Sequence, residues 1–543
     1  MGASDEFPDT LKSASVFGQA ASVPFELPQG RYNAATYFVD RHLKEGRGGK
    51  VAFIDHRGSY TYRELALRVN RAGRMLLDLG VEPEQRVMLC LLDEMYMPAA
   101  FWGAIKIGAV PVAVNTFVAP ADYAYMLRDS RARALVVSAS LLDRLRPALA
   151  EKNYLKAVVV AGGAGNGPPP GFSSFDKLCS EAGEDLEAAE TVADDVGFWV
   201  YSSGSTGEPK GVVHLHSDLY PTAQLYAAQV LGLQESDVVF SAAKLFFAYG
   251  LGNAMTFPLH VGATSVLMAE RPTPEAVMRV MKQHRPTIFF GVPTLYASIL
   301  ADPVLDLSRS SDRLRLCISA AEPLPEHISR RWKERFGVEI LDGIGSTELL
   351  HIYISNRLND LRYGSSGKPV PGYEMRVLDE TGRQVDEGEV GDLWCRGPSV
   401  SPYYWNKREL SARTFFGRWM RTGDKYVRLP GGYYQYAGRS DDMLKVGGIW
   451  VSPAEVESAL ASHSDVLEAA VVEHRDADGL VKPKAFIVLK PGVKASLDLA
   501  DTLKAFVKSS LAPYKYPRWI EFCPELPKTA SGKIQRFKLR AGA

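Results

Sequence analysis

Five short apolar runs rich in Val, Ile and Leu recur along the first three fifths of the chain: VMLCLL (Val87–Leu92), ALVVSA (Ala134–Ala139), AVVVAG (Ala157–Gly162), TIFFGV (Thr287–Val292) and LRLCIS (Leu314–Ser319). Runs this apolar read as strands covered on both faces. Longer segments with helical spacing lie between several of them, including Tyr62–Leu79 and Glu275–His284. Strands that alternate with helices predict parallel α/β layers. AGGAGNGPPPGFSS (Ala161–Ser174) reads as a surface loop or linker.

The pattern changes after about Gly364. VPGYEMRVLDETGRQVDEGEVGDLWCRG alternates and is punctuated by TG and EG turns, which predicts a small β-rich subdomain. GGYYQYAGRSDDMLKVGG (Gly431–Gly448) is polar and glycine-rich, the composition of a hinge. The last hundred residues read as a compact α+β unit: helix Pro453–Ser462, strands Leu467–His474 and Lys484–Leu489, helix Ala500–Ser510, then a basic tail.

At about 150 residues per domain, 543 residues hold three or four domains or subdomains. Lys+Arg and Asp+Glu balance at 63 each, which argues against a nucleic-acid partner. The five cysteines (Cys90, Cys179, Cys317, Cys395, Cys523) are far apart and none forms CxxC. Neither a disulfide framework nor a zinc ribbon is expected, and a cytoplasmic location is. The start, MGASDEFPDT, has no apolar core of a secretory signal. No window approaches the ~18 apolar residues of a membrane span.

One stretch concentrates chemistry. YSSGSTGEPKGV (Tyr201–Val212) follows the apolar run GFWVY and holds three glycines, three serines, a threonine and Lys210. Bare backbone lets many N–H groups converge on one anion, the hydroxyls add donors, and the lysine adds charge, so the segment suits a phosphate. It is not the NTPase P-loop, which needs Lys directly before Ser/Thr. Here a glycine follows the lysine.

The order [ST]SGSTGxPKGV resembles the nucleotide-phosphate loop of the adenylate-forming superfamily, which comprises acyl-CoA synthetases, luciferases and peptide-synthetase adenylation domains. Further blocks match in order over essentially the whole chain. SAAEPLP (Ser319–Pro325), with Ala321 and Glu322, resembles the family's adenine turn. DGIGSTE (Asp342–Glu348) resembles the motif whose Thr touches phosphate and whose Glu holds magnesium. MRTGD supplies Asp424 and GRSDDMLKVGG supplies Arg439, both for the ribose. PKTASGK ends in Lys533, which matches the family's mobile catalytic lysine. An oxygen-seeking divalent cation bridging phosphates makes a carboxylate at 348 chemically apt. Ile344 departs from the aromatic residue common at that position, so an aliphatic shelf is expected under the adenine.

The resemblance implies a fold: an α/β N-terminal domain (1–438) with its β-rich subdomain, and a small mobile α+β C-terminal domain (439–543) hinged near Asp441. It also implies two half-reactions. A substrate carboxylate attacks the α-phosphorus of ATP, pyrophosphate leaves, and the thiol of coenzyme A then attacks the acyl-adenylate. Expected catalytic residues are Lys533, Glu348 and Thr347, with Glu348 on Mg2+. Expected ATP/AMP-binding residues are Ser202, Ser203, Gly204, Ser205, Thr206, Gly207, Lys210, Ala321, Glu322, Asp342, Gly343, Ile344, Gly345, Ser346, Asp424 and Arg439. Gly448, Tyr514 and Arg518 are expected at CoA.

The acid pocket is read from KLFFAYGLGN (Lys244–Asn253) and STELLHIYIS (Ser346–Ser355), which place Phe247, Ala248, Tyr249, His351 and Ile352 as its walls. No acid stands among the aromatic-loop residues, and an unpaired buried ammonium is costly, so amino acids are disfavoured. AAKLFFAYGLGNAMTFPL, RPTPEAV, GVPTLYAS and ISAAEPLP resemble the benzoate–CoA ligase subfamily. A ring against Phe and Tyr faces is physically reasonable. A 4-hydroxybenzoate enzyme would need a polar floor, which His351 or Tyr353 could supply; a medium-chain acyl-CoA synthetase is the weaker alternative. His214 and His216 alternate on one strand but have no third ligand in the sequence, so a structural or pocket-lining role is favoured over metal. The expected partners are a small aromatic carboxylic acid, a second copy in a homodimer, and, by resemblance, a lysine acetyltransferase and deacetylase acting on Lys533. No nucleic acid or membrane is expected.

Overall fold

The structure, a computed structural model, describes residues 30–163, 167–202, 208–302, 304–305, 312–440, 442–446, 449–476, 480–528 and 534–541. Two large, mostly parallel sheets carry the N-terminal part. In one, seven strands are ordered by the residues they span as 173–174, 157–161, 134–138, 86–90, 110–113, 196–202 and 210–215, all parallel except the last pair. In the other, nine strands include a parallel block formed by 340–345, 316–319, 288–291, 238–241, 264–266 and 51–55. All five predicted apolar runs are strands in these sheets, trimmed at their ends by one or two residues, and the first strand begins one residue earlier, at Arg86.

Helix Tyr62–Asp78 starts where predicted because Thr61 caps it: its hydroxyl accepts from Glu64 N–H and the Glu64 carboxylate reaches back to Thr61 N–H. It crosses helix Tyr96–Lys106 at two glycines. A Cβ at Gly103 would sit 2.8 Å from the backbone N of Gly73, so only glycine permits this approach. Both helices belong to one core with strands of the two sheets, in which Phe38 stacks on Trp102 at 5.2 Å.

The β-rich subdomain is a five-stranded sheet over Glu374–Arg439. Gly431–Gly448 therefore divides: Tyr433–Arg439 is a regular strand paired with Trp419–Leu429, because its alternating tyrosines pack on one face. Room for a hinge is left only beyond Arg439, and Asp441 itself lies outside the described residues. The C-terminal unit has helices Pro453–Ala461 and Leu497–Ser510 against the sheet formed by Val466–Arg475, Val481–Leu489 and Trp519–Phe522, with its own buried core. No helix among the described residues is long and apolar enough to cross a membrane.

Candidate active site

Four neighbouring parallel strands, Val238–Ser241, Ile288–Gly291, Leu316–Ser319 and Ile340–Gly345, end side by side. Their carboxyl ends lead into the segments bearing Phe247–Tyr249, Val292, Ala321–Glu322 and Ser346–Glu348. Ligands of open parallel sheets bind at such ends. Two of these segments carry strained turns: Ala321 (φ 79°) and Leu350 (φ 65°) hold a left-handed backbone that side-chain-bearing residues rarely adopt.

The acid-side residues come together. The Tyr249 hydroxyl is shared between the carbonyls of Gly291 (3.2 Å) and Ile318 (3.4 Å), pinning the ring across two strand ends. His351 is 3% exposed, and its Nε2 lies 3.2 Å from the Tyr249 carbonyl and 3.0 Å from Asn253 Oδ1. Two acceptors on Nε2 place the proton there and leave Nδ1 as an acceptor, which has no partner among the described residues. Burial pushes the His351 pKa down to about 3, so the ring is neutral. Tyr249 and Phe257 flank it at 5.5 and 4.4 Å between ring centres. The glycines of the GLGN run have a reason here: a Cβ on Gly252 would meet His351 Cδ2 at 2.3 Å. Ala248 and Ile352 are buried, and Ile352 pairs with Gly345. Phe247 is half-buried with its ring 4.5 Å from that of Phe246. Tyr353 is fully buried, and its hydroxyl has no partner among the described residues.

Sequence reasoning missed what holds this loop. Asp93, fully buried, accepts from Leu245 N–H at 3.2 Å, while the Lys244 ammonium donates to the carbonyls of Met268 and Glu270 (2.7 Å to Glu270). Burial raises the Asp93 pKa to about 6 against the opposing pull of Lys244.

The nucleotide-side residues come from three sheets. Ser202 and Lys210 are register partners on antiparallel strands, and the Ser202 hydroxyl is buried without a partner among the described residues. Ser346 caps the Thr347–Leu349 turn by accepting from Leu349 N–H at 3.3 Å. His214 Nε2 reaches the Thr347 carbonyl at 2.7 Å and its Nδ1 reaches Asp218 at 2.9 Å, so this histidine braces the turn. His216 Nδ1 accepts from Ala34 N–H at 3.1 Å, a structural contact, and burial lowers its pKa to about 4. No cluster of three metal-ligating side chains occurs among the described residues. Glu348 is half-buried and accepts from the Tyr404 hydroxyl at 2.7 Å.

Asp342 is buried, its Oδ1 has no partner among the described residues, and burial raises its pKa well above the carboxylate range. Gly343 and Ile344 complete that strand end, Ile344 pairing with Ile354. Asp424 and Arg439 are register partners joined at 2.9 Å. Of the residues expected at CoA, Tyr514 packs on the C-terminal core and Arg518 stacks on Tyr516 at 3.7 Å. Ser203, Gly204, Ser205, Thr206, Gly207, Asp441, Gly448 and Lys533 lie outside the described residues.

Known proteins share this arrangement. The AMP-binding enzyme model matches residues 39–405, and the AMP-binding enzyme C-terminal domain model matches 455–533. The chain is 60% identical to a benzoate–CoA ligase of Thauera aromatica over 95% of this chain and 97% of that one. It is 50% identical to a 4-hydroxybenzoate–CoA/benzoate–CoA ligase of Rhodopseudomonas palustris over 95% of both. The crystal structure of a benzoate CoA ligase from Burkholderia xenovorans LB400 superposes with a TM-score of 0.87 at 53% identity, covering 94% of this chain and all of that one. An anthranilate CoA ligase in complex with anthranoyl-AMP gives 0.89 at 44% identity, over 96% and 98% of the two chains. Matched along both parts, this chain belongs to the AMP-binding enzyme family.

Proposed function

We propose that this chain ligates benzoate to coenzyme A in two steps through benzoyl-adenylate, releasing AMP and pyrophosphate. The acid–CoA ligase class and the use of ATP and CoA are supported by family membership and by near-full-length similarity to aryl-CoA ligases. The observation that carries the choice of acid is the neutral wall made by Tyr249, His351 and Ile352, with Phe247 and Ala248 alongside. It has ring faces for an aryl group and no carboxylate among these residues for an ammonium.

In the first step a benzoate oxygen attacks the α-phosphorus and the bond to pyrophosphate breaks. Both reactants are anions, so the protein's work is positioning and charge compensation. Lys210, Ser202 and the loop residues Ser203 to Gly207 would hold the β- and γ-phosphates, and Asp342 Oδ1 would accept from the adenine amine beside Ile344. Asp424 and Arg439 would take the ribose, and Lys533 would bridge carboxylate and α-phosphate. Ala321, Glu322, Gly343, Gly345 and Ser346 would line the nucleotide.

The donor set fits a hard divalent cation: one carboxylate, Glu348, beside Thr347, the rest of the shell being left to phosphate and water. Mg2+ held there would compensate phosphate charge. In the second step the thiol sulfur attacks the acyl carbon, its proton is lost, and AMP leaves. Lys533 is then dispensable, which suits a C-terminal domain (439–543) turning near Asp441, with Gly448, Tyr514 and Arg518 toward CoA. The cytoplasmic location, a homodimer, and acetylation and deacetylation of Lys533 belong to the same reading.

A second reading, a 4-hydroxybenzoate ligase, is favoured by the unpartnered His351 Nδ1; Tyr353, next to Ile352 on the same strand, faces Asp424 and Tyr426 instead. AMP formation with benzoate, 4-hydroxybenzoate, 2-aminobenzoate, acetate, octanoate and phenylalanine separates the two. Benzoate leading in kcat/KM upholds the first reading. A lead of about a hundredfold for 4-hydroxybenzoate, the discrimination expected of a buried group that needs its partner, upholds the second. Octanoate alone would overturn the aryl assignment.

A further inference from the structure

We propose that Tyr404 is a positioning residue for the MgATP end of the site: its hydroxyl orients Glu348 while its ring face seats the Lys210 ammonium. The inference rests on the nucleotide site of the reading above.

Tyr404 is 4% exposed. Its hydroxyl donates to Glu348 Oε1 at 2.7 Å, and the Lys210 ammonium lies 4.9 Å from its ring centre. The ring thus meets an ammonium and its hydroxyl a carboxylate, and among the described residues no ion pair joins Lys210 to Glu348. Asp424 and Arg439 differ in pairing with each other at 2.9 Å. An ammonium over a ring face is attracted without being neutralised. A carboxylate has about four lone-pair sites, so one donor fixes its orientation and leaves the others for a cation.

The segment around Tyr404 is tied to both partners' backbones. Ser401 N–H donates to the Glu348 carbonyl at 2.8 Å and the Ser399 hydroxyl to the Leu349 carbonyl at 2.7 Å. Trp405 N–H donates to the Gly211 carbonyl at 2.8 Å, and Tyr404 bridges Val212. Segment 399–405 therefore fixes the separation of the lysine strand from the glutamate turn.

Calorimetric titration with ATP, in Mg2+ and in EDTA, tests this on the parent, Tyr404→Phe, Glu348→Ala and the double variant. Tyr404→Phe keeps the ring. It should weaken MgATP binding about tenfold, the loss for one hydrogen bond to a charged group. Binding of metal-free ATP, the thermal midpoint and the KM for benzoate should stay at parental values. In the Glu348→Ala background, Tyr404→Phe should have no further effect. Parental MgATP affinity in Tyr404→Phe, an equal loss with and without Mg2+, or additive losses in the double variant overturns the inference alone. A parent that binds no MgATP overturns both the inference and the reading beneath it.

Discussion

The two halves of the candidate site solve opposite problems. On the acid side, His351, Ile352 and Ala248 are buried, the imidazole is neutral, and Tyr249 and His351 are fixed by backbone carbonyls and Asn253. On the nucleotide side stand the ionisable groups of Lys210, Glu348, Asp424 and Arg439, with Lys210 and Glu348 only half-buried. One half recognises shape, which needs a close-packed wall. The other must compensate charge that develops and departs, which needs groups that are charged yet not exhausted on each other. Tyr404, which meets Lys210 with its ring and Glu348 with its hydroxyl, is the local expression of that need.

The comparison can be broken first on the charged side. Lys533→Ala and Glu348→Gln should each slow adenylate formation by about a hundred- to a thousandfold. Lys533→Ala should leave thiolation of supplied benzoyl-adenylate within a few fold of the parent. Pyrophosphate exchange and single-turnover thioester formation separate the halves, and equal losses in both would refute domain alternation.

The neutral side should fail under acid. His42, His216, His260 and His351 have pKa values lowered by burial to about 3 or 4 from 6.5. A histidine depressed in the fold contributes stability that is present above pH 6.5 and lost as pH falls toward the folded value. By pH 4 the loss is about 3 kcal/mol per ring. Melting temperature should be flat above about pH 7 and fall below pH 6, with proton uptake on unfolding. His351→Gln should flatten that slope; an unchanged slope would place the acid sensitivity elsewhere.

A smaller effect tests the wall's packing. Gly252→Ala should displace the imidazole and destabilise by about 1–3 kcal/mol. Benzoate KM should rise and ATP KM should not; a shift in both would mean the halves are mechanically coupled. The smallest effect concerns the buried carboxylate under the loop. Asp93 has its pKa raised to about 6 by burial, so its contribution is fully present below the unfolded value of 3.8 and is lost as pH rises through 6. Asp93→Asn keeps an acceptor for Leu245 N–H. It should therefore gain stability relative to the parent between pH 5 and pH 8, by at most about 3 kcal/mol. Chemical denaturation at the two pH values measures it.

How much of this was legible depended on sequence distance. Strands such as Ala134–Ser138 and Ala157–Ala161 were readable because burial on both faces writes itself as contiguous apolar residues. The helix at Tyr62 was readable from its period. The order of strands was not, since Val51–Asp55 pairs with Thr264–Val266 through contacts no local pattern records. Motif residues such as Asp342–Glu348 were readable because one strand end and one turn carry them. Tyr404 lies 56 residues from Glu348 and Asp93 lies 152 from Leu245, so their contacts are products of folding alone. His214, met as a possible ligand, proved to brace the Thr347 carbonyl, a role that needs the turn to be in place first.

The contact between Gly252 and the imidazole bears on how such a chain can diversify. A position with no space for even a methyl group closes one route by which a lineage acquires new substrates, because any side chain there must first displace His351. Novel acids are then reached more readily through Phe247 or Ala248. Substrate range in descendants of this chain should therefore vary at the aromatic loop while the glycine and its histidine change only together.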